Sequence, residues 1–391
     1  MTLTDDRQRE SGSGASPRQL ADGFIHIRVG GTPEEMGAQH GELLRAEIQE
    51  MVVALRHHVL DGQPGFNGLG LRIGTGLTAG LMERRIDPRF KSEMKALARA
   101  SDVPYADILL LNCVDDVLAN LYQLGAMFGR LGCSAYAVMG TRTASGELLC
   151  GRNLDYFVPS AAGEDPWAAT NHMKQQVVCV DYQPKDAYSF VSVGWPGFVG
   201  VATGMSSAGI ALGSLTVSTR RNWPFATPAT FLYRDVLERA DGLEEAVSVL
   251  RRGSRTQANN VLIGSGGEQR ACVVEFTPWR IVVREAADNW IAATNHFVDP
   301  SMARYNSGGV PFGSSERSER LGELCCGPAV GPAGARDFLV DTVLRRPDAN
   351  DYCAVQNPCT IYSVMFEPSQ GTLSVRVGDT PDRTFVEVPV A

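Results

Sequence analysis

Cys133 is the residue around which the chemistry-bearing side chains of this sequence gather. Arg152 and Asp155 follow it, after a Thr-Ala-Ser-Gly stretch that is typical of a hairpin turn. If that turn is centred between residues 144 and 145, Cys133 lies opposite position 156, within a residue or two. A nearby guanidinium lowers the pKa of a thiol, and a carboxylate can orient a base or hold an ammonium group. The spacing therefore indicates a nucleophilic cysteine.

Side-chain alternation limits this interpretation. On a regular strand Arg152 and Asp155 would point to opposite faces, so both reach the sulfur only if the strand ends or bulges between them. Each residue also has an ordinary explanation, as a buried thiol, a surface arginine and a turn-capping aspartate. The chain has nine cysteines in all. Their odd number and scattered positions predict free thiols, most of them small buried hydrophobes.

The predicted secondary structure around these residues changes from mainly helix to mainly strand at Cys133. Before it, apolar residues recur at helical spacing and predict mostly helix, after a disordered tail over residues 1–18. The helical runs before it are 33–55, 87–100 and 105–122. After it, short β-branched runs dominate, and the predicted helices are 229–252, 315–324 and 335–344. Helices in separate blocks predict α+β layers on antiparallel sheets and argue against a doubly wound nucleotide fold.

Composition narrows the classes of function. The chain has 391 residues, 44% of them hydrophobic, and a formal net charge of −8. The acidic balance argues against a nucleic acid or an anionic membrane as partner. The N-terminus has no apolar core after its charged residues, which predicts a cytoplasmic protein. Neither Cys-x-x-Cys nor His-Glu-x-x-His occurs, so a structural or hydrolytic zinc site has little support. The reaction predicted below requires no metal and no organic cofactor.

The motifs around Cys133 also resemble those of a known family. Leu131-Gly-Cys-Ser-Ala-Tyr136, followed by Cys150-Gly-Arg-Asn-Leu-Asp-Tyr156, is similar to the acyl-coenzyme A:6-aminopenicillanate acyltransferase-like family of N-terminal nucleophile hydrolases. It is more distantly similar to the conjugated bile acid hydrolases and penicillin V acylases. Weaker similarities lie at residues 29–41, 194–197, 204–209 and 293–297. The resemblance runs from about residue 25 to the C-terminus.

The resemblance implies an αββα sandwich and a precursor that cuts itself between Gly132 and Cys133. A helical pro-segment, residues 19–132, would become a small subunit that stays with the catalytic subunit, residues 133–391, in one interlocked domain. Cleavage would free an α-amine on the residue that carries the thiol. The pKa of an α-amine is about 7.7–8.0, so its neutral form can take the thiol proton without a histidine.

The resemblance also implies roles for other residues. Arg152 and Asp155 would organise the thiolate and the amine, and Asn295 would donate its amide to the oxyanion. Arg317, with Arg320 as the alternative, would be a second site arginine, although both also suit a charged helix face. Where related enzymes often carry a second asparagine as oxyanion donor, this chain has Ser206. Substrate contacts are expected from Tyr156, Trp195, Phe198 and His296.

The predicted reaction cleaves or forms the amide bond of a small N-acyl compound through a thioester acyl-enzyme. Hydrolysis is preferred to transfer from an acyl-coenzyme A because water is always available as acceptor. A Cys-His-Asn protease is a rival because His296 adjoins Asn295, but neighbours on a strand point to opposite faces. A non-catalytic binding module with the same fold is the remaining alternative. The sequence does not decide between a monomer and a homo-oligomer.

Overall fold

Two β-sheets form the centre of the structure, and helices cover the outer face of each. The computed structural model describes residues 18–61, 68–121, 131–158, 160, 163–219, 221–306, 313–344 and 351–390. The predicted tail therefore lies outside the described residues up to position 17, and Arg18 already belongs to a strand. No helix within these ranges is long and apolar enough to cross a membrane.

The described strands fall into a nine-stranded and a six-stranded sheet. In chain order they are β1 (Arg18–Ala21), β2 (Phe24–Gly31), β3 (Leu131–Val138), β4 (Leu149–Tyr156), β5 (Val178–Pro184), β6 (Phe190–Gly194), β7 (Thr203–Ser206), β8 (Ile210–Thr216), β9 (Asn259–Ser265), β10 (Arg270–Phe276), β11 (Ile281–Glu285), β12 (Trp290–Ala293), β13 (Thr360–Glu367), β14 (Thr372–Val377) and β15 (Val386–Pro389). The larger sheet has the order β1-β2-β5-β6-β7-β8-β9-β10-β11, and the smaller has β12-β3-β4-β13-β14-β15. All neighbours are antiparallel except β2 and β5, which pair in parallel.

The helices divide between the two outer faces. They are α1 (Pro33–Leu43), α2 (Arg45–Ala54), α3 (Gly68–Glu83), α4 (Pro88–Ser101), α5 (Tyr105–Leu121), α6 (Ala168–Gln175), α7 (Ala229–Arg239), α8 (Leu243–Arg252), α9 (Ser314–Cys325) and α10 (Pro332–Leu339), with a π-helix over Leu55–Asp61. The start of α1 is fixed by a capping box: Thr32 accepts from the backbone of Glu35, whose side chain accepts from the backbone of Thr32.

Three apolar layers hold these elements together. One lies between the sheets, one between the larger sheet and helices of the N-terminal segment with α7 and α8, and one between the smaller sheet and α9 and α10. This arrangement is the predicted αββα sandwich, and the predicted α+β class is confirmed. All nine cysteines are free thiols, and only Cys326 is exposed.

Several predicted elements need correction. The single helix predicted from Pro33 to residue 55 is broken at Leu44, and the one predicted over 229–252 ends at Arg239 and restarts at Leu243. The last predicted helix lies earlier, at Pro332–Leu339. The N-terminal segment also supplies β1 and β2, where the sequence predicts no strand. It adds a parallel pair to a sheet expected to be antiparallel.

Candidate active site

Cys133 lies near the start of β3, in the layer between the two sheets. Its side chain is 4% exposed. Cys133 pairs with Leu154. The predicted partner is position 156 within a residue or two, so the prediction holds. The turn is centred one residue earlier than predicted, which shifts the pairing by two. Burial raises the pKa of the thiol, and Arg152 is the strongest of the groups that lower it.

Arg152 is the group that faces the sulfur. Its Nη2 lies 3.7 Å from Cys133 Sγ and donates to the carbonyl of Ser214 on β8 at 2.7 Å, while its Nη1 donates to the hydroxyl of Tyr362 at 3.3 Å. A Cβ at position 213 would lie 3.0 Å from Cγ of Arg152, so Gly213 makes room for the arginine stem. The side chain is 1% exposed, and the described residues place no ion-pair partner against it. The cation is therefore free to stabilise a thiolate.

Asp155 lies on the other face of β4, as regular alternation requires. Its oxygens accept from Thr360 Oγ1 and Asn357 Nδ2, both at 2.8 Å, and its Oδ2 is 4.0 Å from Arg317 Nη1. Asp155 pairs with Gly132, where a Cβ would lie 3.3 Å from its Oδ2. Its carboxylate thus borders the Gly132–Cys133 peptide bond rather than the sulfur. Burial raises the pKa of Asp155, and Arg317 opposes that effect most strongly.

Asn295 and Arg317 hold the backbone of Cys133. The N–H of Cys133 donates to Asn295 Oδ1 at 2.6 Å, and Arg317 Nη2 donates to the same oxygen at 3.1 Å. Arg317 Nη1 donates to the carbonyl of Cys133 at 2.5 Å and to Ser134 Oγ at 3.0 Å. Asn295 Nδ2 donates to the carbonyl of Thr216 at 3.0 Å. An amide carries two hydrogens, so the second remains for an oxyanion.

The two arginines of α9 have different surroundings. Arg317 is 1% exposed and reaches the cysteine backbone. Arg320 pairs instead with Asp341 at 2.7 Å and Glu323 at 3.2 Å, away from this cluster. Of the two alternatives left by the sequence, Arg317 is the one brought to Cys133.

His296 does not approach the sulfur. Its Nδ1 lies 2.8 Å from Ser314 Oγ and 3.2 Å from Thr294 Oγ1. Burial is the main cause that lowers its pKa. The Cys-His pair of the protease alternative is therefore absent from the described geometry, although His296 is next to Asn295.

A pocket with mainly apolar walls lies beside the cluster. Tyr156, Trp195 and Phe198, three of the four residues predicted to contact substrate, line it together with side chains of α2 and α5. The ring of Trp195 lies 6.2 Å from that of Tyr362, which contacts Arg152. Asp115 is the carboxyl group in the wall. Tyr156 donates to it at 3.1 Å, and burial raises its pKa.

The loop that carries Trp195 and Phe198 is held by α5. Asn112 donates to the carbonyl of Gly197 at 2.9 Å and accepts from the backbone of Val199 at 2.7 Å. Gly197 has a φ of +81°, a conformation that favours glycine. These bonds fix the aromatic wall of the pocket relative to the N-terminal helices.

Four further residues contact the site without having been predicted from the sequence: Tyr362, Ser134, Asn357 and Thr360. Ser134 follows the cysteine directly, and the other three come from the C-terminal part of the chain. Thr360 and Tyr362 lie on β13, which pairs with β4 across a register shift between them. Because that pairing is a long-range contact, no local pattern could have identified Thr360 or Tyr362.

Comparison with known proteins assigns the chain to a family. Residues 142–382 match the family described as acyl-coenzyme A:6-aminopenicillanic acid acyl-transferase, and the chain belongs to it. The matched range contains Arg152, Asp155, Asn295 and Arg317 and begins after Cys133. The family predicted from the motifs is thus confirmed.

The individual relatives share only a minor part of their sequence with this chain. The chain is 29% identical over 325 residues to an uncharacterized protein of Archaeoglobus fulgidus, covering 72% of this chain and 52% of that protein, so it spans about half of that relative's length. It is 22% identical over 316 residues to acid ceramidase of Bos taurus, covering 75% and 71% of the two chains. A solved structure of the Caenorhabditis elegans N-acylethanolamine-hydrolyzing acid amidase ortholog has a TM-score of 0.44 and 17% identity, covering 64% of this chain and 94% of that one.

Proposed function

We propose that this protein is a self-processing N-terminal cysteine amidohydrolase. It would cleave its own chain between Gly132 and Cys133 and then hydrolyse the amide bond of a small N-acyl compound through a thioester. The observation that carries the proposal is that four groups surround one peptide bond and its thiol. Arg152 faces the sulfur, Asn295 and Arg317 bind the backbone of Cys133, and Asp155 borders Gly132.

Self-cleavage requires the thiol of Cys133 to attack the carbonyl carbon of Gly132. The carbon–nitrogen bond breaks, the nitrogen of Cys133 takes a proton, and Gly132 becomes a thioester on the sulfur. Water then hydrolyses the thioester, which releases a carboxylate on Gly132 and a thiol on Cys133. Arg152 would stabilise the sulfur as thiolate, which is the reacting form.

The processed enzyme would use the new α-amine as its base. Asn295 Oδ1, which accepts from the nitrogen of Cys133 in the intact chain, would go on to hold that amine. The neutral amine takes the thiol proton, the sulfur attacks the substrate carbonyl, and the amine product leaves with the proton. Water then hydrolyses the acyl-enzyme. The free hydrogen of the Asn295 amide is placed to contribute to the oxyanion site.

The pro-segment would remain attached after cleavage. β1 and β2 belong to the nine-stranded sheet, where β2 pairs with β5 over seven residue pairs. Helices of this segment also share an apolar layer with α7 and α8. Loss of one peptide bond leaves these contacts intact, so the two subunits would form one folded unit.

The apolar pocket beside Tyr362 would take the acyl group of the substrate. Its walls are mostly hydrocarbon, and burial of apolar atoms favours an apolar acyl chain. The similarity to an acid ceramidase supports an N-acyl amide as substrate. Asp115 and Tyr156 would make the polar contact in this otherwise apolar wall.

Intact mass of the purified protein tests the proposal. The wild type should separate into fragments of residues 1–132 and 133–391, and Cys133→Ala should stay whole. Cys150→Ala is the matched control, because Cys150 is another buried thiol of the same hairpin and should not affect cleavage. A wild type that stays uncut on long incubation and whose Cys133 resists thiol labelling would instead favour the non-catalytic binding module.

Acyl transfer is a second candidate, because the name of the matched family describes an acyl-coenzyme A-dependent acyltransferase. Hydrolysis and transfer share every step up to the acyl-enzyme. Release of coenzyme A from an acyl-coenzyme A, measured with and without an added amine, separates them. Dependence of that release on the amine would indicate transfer.

A further inference from the structure

Three of the six histidines of the chain converge beside the mouth of the apolar pocket. His57 and His58 lie on the π-helix, His172 lies on α6, and Glu164 precedes α6. His57 Nε2 is 2.7 Å from one carboxylate oxygen of Glu164, and His58 Nδ1 is 3.7 Å from the other. One donor atom each from His57, His58 and Glu164 lies within 4.8 Å of the other two.

The donor set is that of a transition-metal site. Imidazole nitrogens and a carboxylate oxygen are ligands that suit Zn²⁺, which binds them at about 2.0–2.2 Å. Tetrahedral coordination at those lengths brings ligand atoms to roughly 3.4 Å from one another. The observed cluster is a little wider, and His57 and Glu164 are exposed enough to rotate inward.

His172 lies beside this group, although its donor atoms are not among those within 4.8 Å of one another. It lines the same open depression as His57, His58 and Glu164. Its Nδ1 lies 3.7 Å from Glu50, and its buried Nε2 has no hydrogen-bond partner among the residues that the structure describes. A buried polar atom without a partner is costly, and a metal ion would satisfy it.

The backbone supports the same interpretation. A π-helix is rare and is frequently found at functional sites. This one presents two adjacent histidines to a carboxylate from a distant part of the chain. Sequence motifs could not reveal the cluster because His57 and Glu164 are 107 residues apart. The cluster is separate from the Cys133 site, whose residues it does not include.

We propose that His57, His58 and Glu164 bind a divalent transition-metal ion, Zn²⁺ by preference, with His172 as the fourth ligand. The ion would join the N-terminal segment to α6 on the other side of the proposed cleavage point. His58 and His172 also line the apolar pocket, so a bound ion would brace its entrance.

Zinc titration of the chelator-treated full chain tests this site. All proteins carry Cys326→Ala, because Cys326 is the exposed thiol and could bind zinc itself. Equilibrium dialysis with metal analysis should give one Zn²⁺ per chain. The double variant His57→Ala/His58→Ala should bind at least about ten-fold more weakly, and Glu164→Gln should be weakened too. His26→Ala, a half-buried histidine of β2 outside the cluster, should bind like the parent.

Thermal unfolding supplies a readout that does not depend on catalysis. Because a ligand that binds only the folded state stabilises it, Zn²⁺ should raise the melting temperature of the parent and of His26→Ala but not of the double variant. The proposal is overturned if the parent binds no stoichiometric zinc, or if the double variant binds it and is stabilised as strongly as the parent. Neither result bears on self-cleavage at Cys133.

Discussion

Two arginines of this protein are equally buried, at 1% exposure, but have opposite surroundings. Arg234 lies under the helices of the larger sheet, with Nη2 at 2.8 Å from Glu93 and Nε at 2.7 Å from Glu238. Arg152 lies between the sheets and contacts a carbonyl, a hydroxyl and the thiol of Cys133. The carboxylates neutralise the first cation. The second has no carboxylate in contact among the described residues and is left to act on the thiol, which becomes an anion when it reacts.

The two arginines show how a buried charge that stabilises the fold differs from one that acts on a reacting atom. A buried cation that is fully paired contributes to the folded state and offers little to a reacting atom. Burying a cation that is held only by neutral groups costs free energy. Such cations occur at sites where the protein uses the charge in a reaction. Substitutions at the two arginines should therefore affect different measurements.

Arg234→Met should have the largest effect on stability. It leaves Glu93 and Glu238 buried beside an apolar chain, and breaking one partner of such a pair costs about 3–5 kcal/mol. Urea unfolding of the uncleaved Cys133→Ala chain measures this free energy. Arg270→Met is the control, since Arg270 pairs with Glu285 at the surface and should change the value by less than about 1 kcal/mol. Equal losses in the two variants would contradict the comparison.

Asp116 extends the comparison to a buried carboxyl that pairs with no cation among the residues that the structure describes. On α5 it accepts from Thr256 Oγ1 and the backbone of Ala229, and burial raises its pKa to about 7. The unfolded value is about 3.9, so its stabilising contribution is complete below pH 4 and is lost as the pH rises to 7.

Asp116→Asn should remove that dependence. Over this window the free energy of unfolding of the parent should fall relative to the variant by at most about 4 kcal/mol, at 1.36 kcal/mol for each unit of pKa. Urea unfolding of both proteins at several pH values measures the difference. Parallel pH curves would show that Asp116 titrates normally in the folded chain.

Arg152→Met should leave stability nearly unchanged and alter the thiol. Removing the cation raises the pKa of Cys133, because Arg152 is the strongest of the groups that lower it. An opposite charge at this range shifts a pKa by about 1–3 units, so alkylation of Cys133 near pH 7 should slow about ten-fold or more. The rate of labelling at Cys133 against pH, read by mass spectrometry, should move to higher pH. An unmoved profile would mean that Arg152 does not act on the sulfur.

The sequence could identify Cys133 and Arg152 because both lie on one hairpin, where local pairing rules apply. Alternation along β4 also anticipated that Asp155 would face away from Arg152, and it does. Asn295 and Arg317 were reachable only through the family resemblance, since they come from distant segments. Tyr362 and the parallel pairing of β2 with β5 depend on long-range contacts that no periodicity encodes.

Arg320→Met should have the smallest effect. Arg320 lies less than one helical turn from Arg317 on α9, yet it pairs with Asp341 and Glu323 near the surface, where such pairs contribute about 0–1 kcal/mol. Its cleavage, followed by intact mass, should match that of the wild type. Arg317→Met should cleave slowly, because the backbone of Cys133 loses its guanidinium. If Arg320→Met stays uncut while Arg317→Met is processed, burial and contact with Cys133 are the wrong criteria for distinguishing these two arginines.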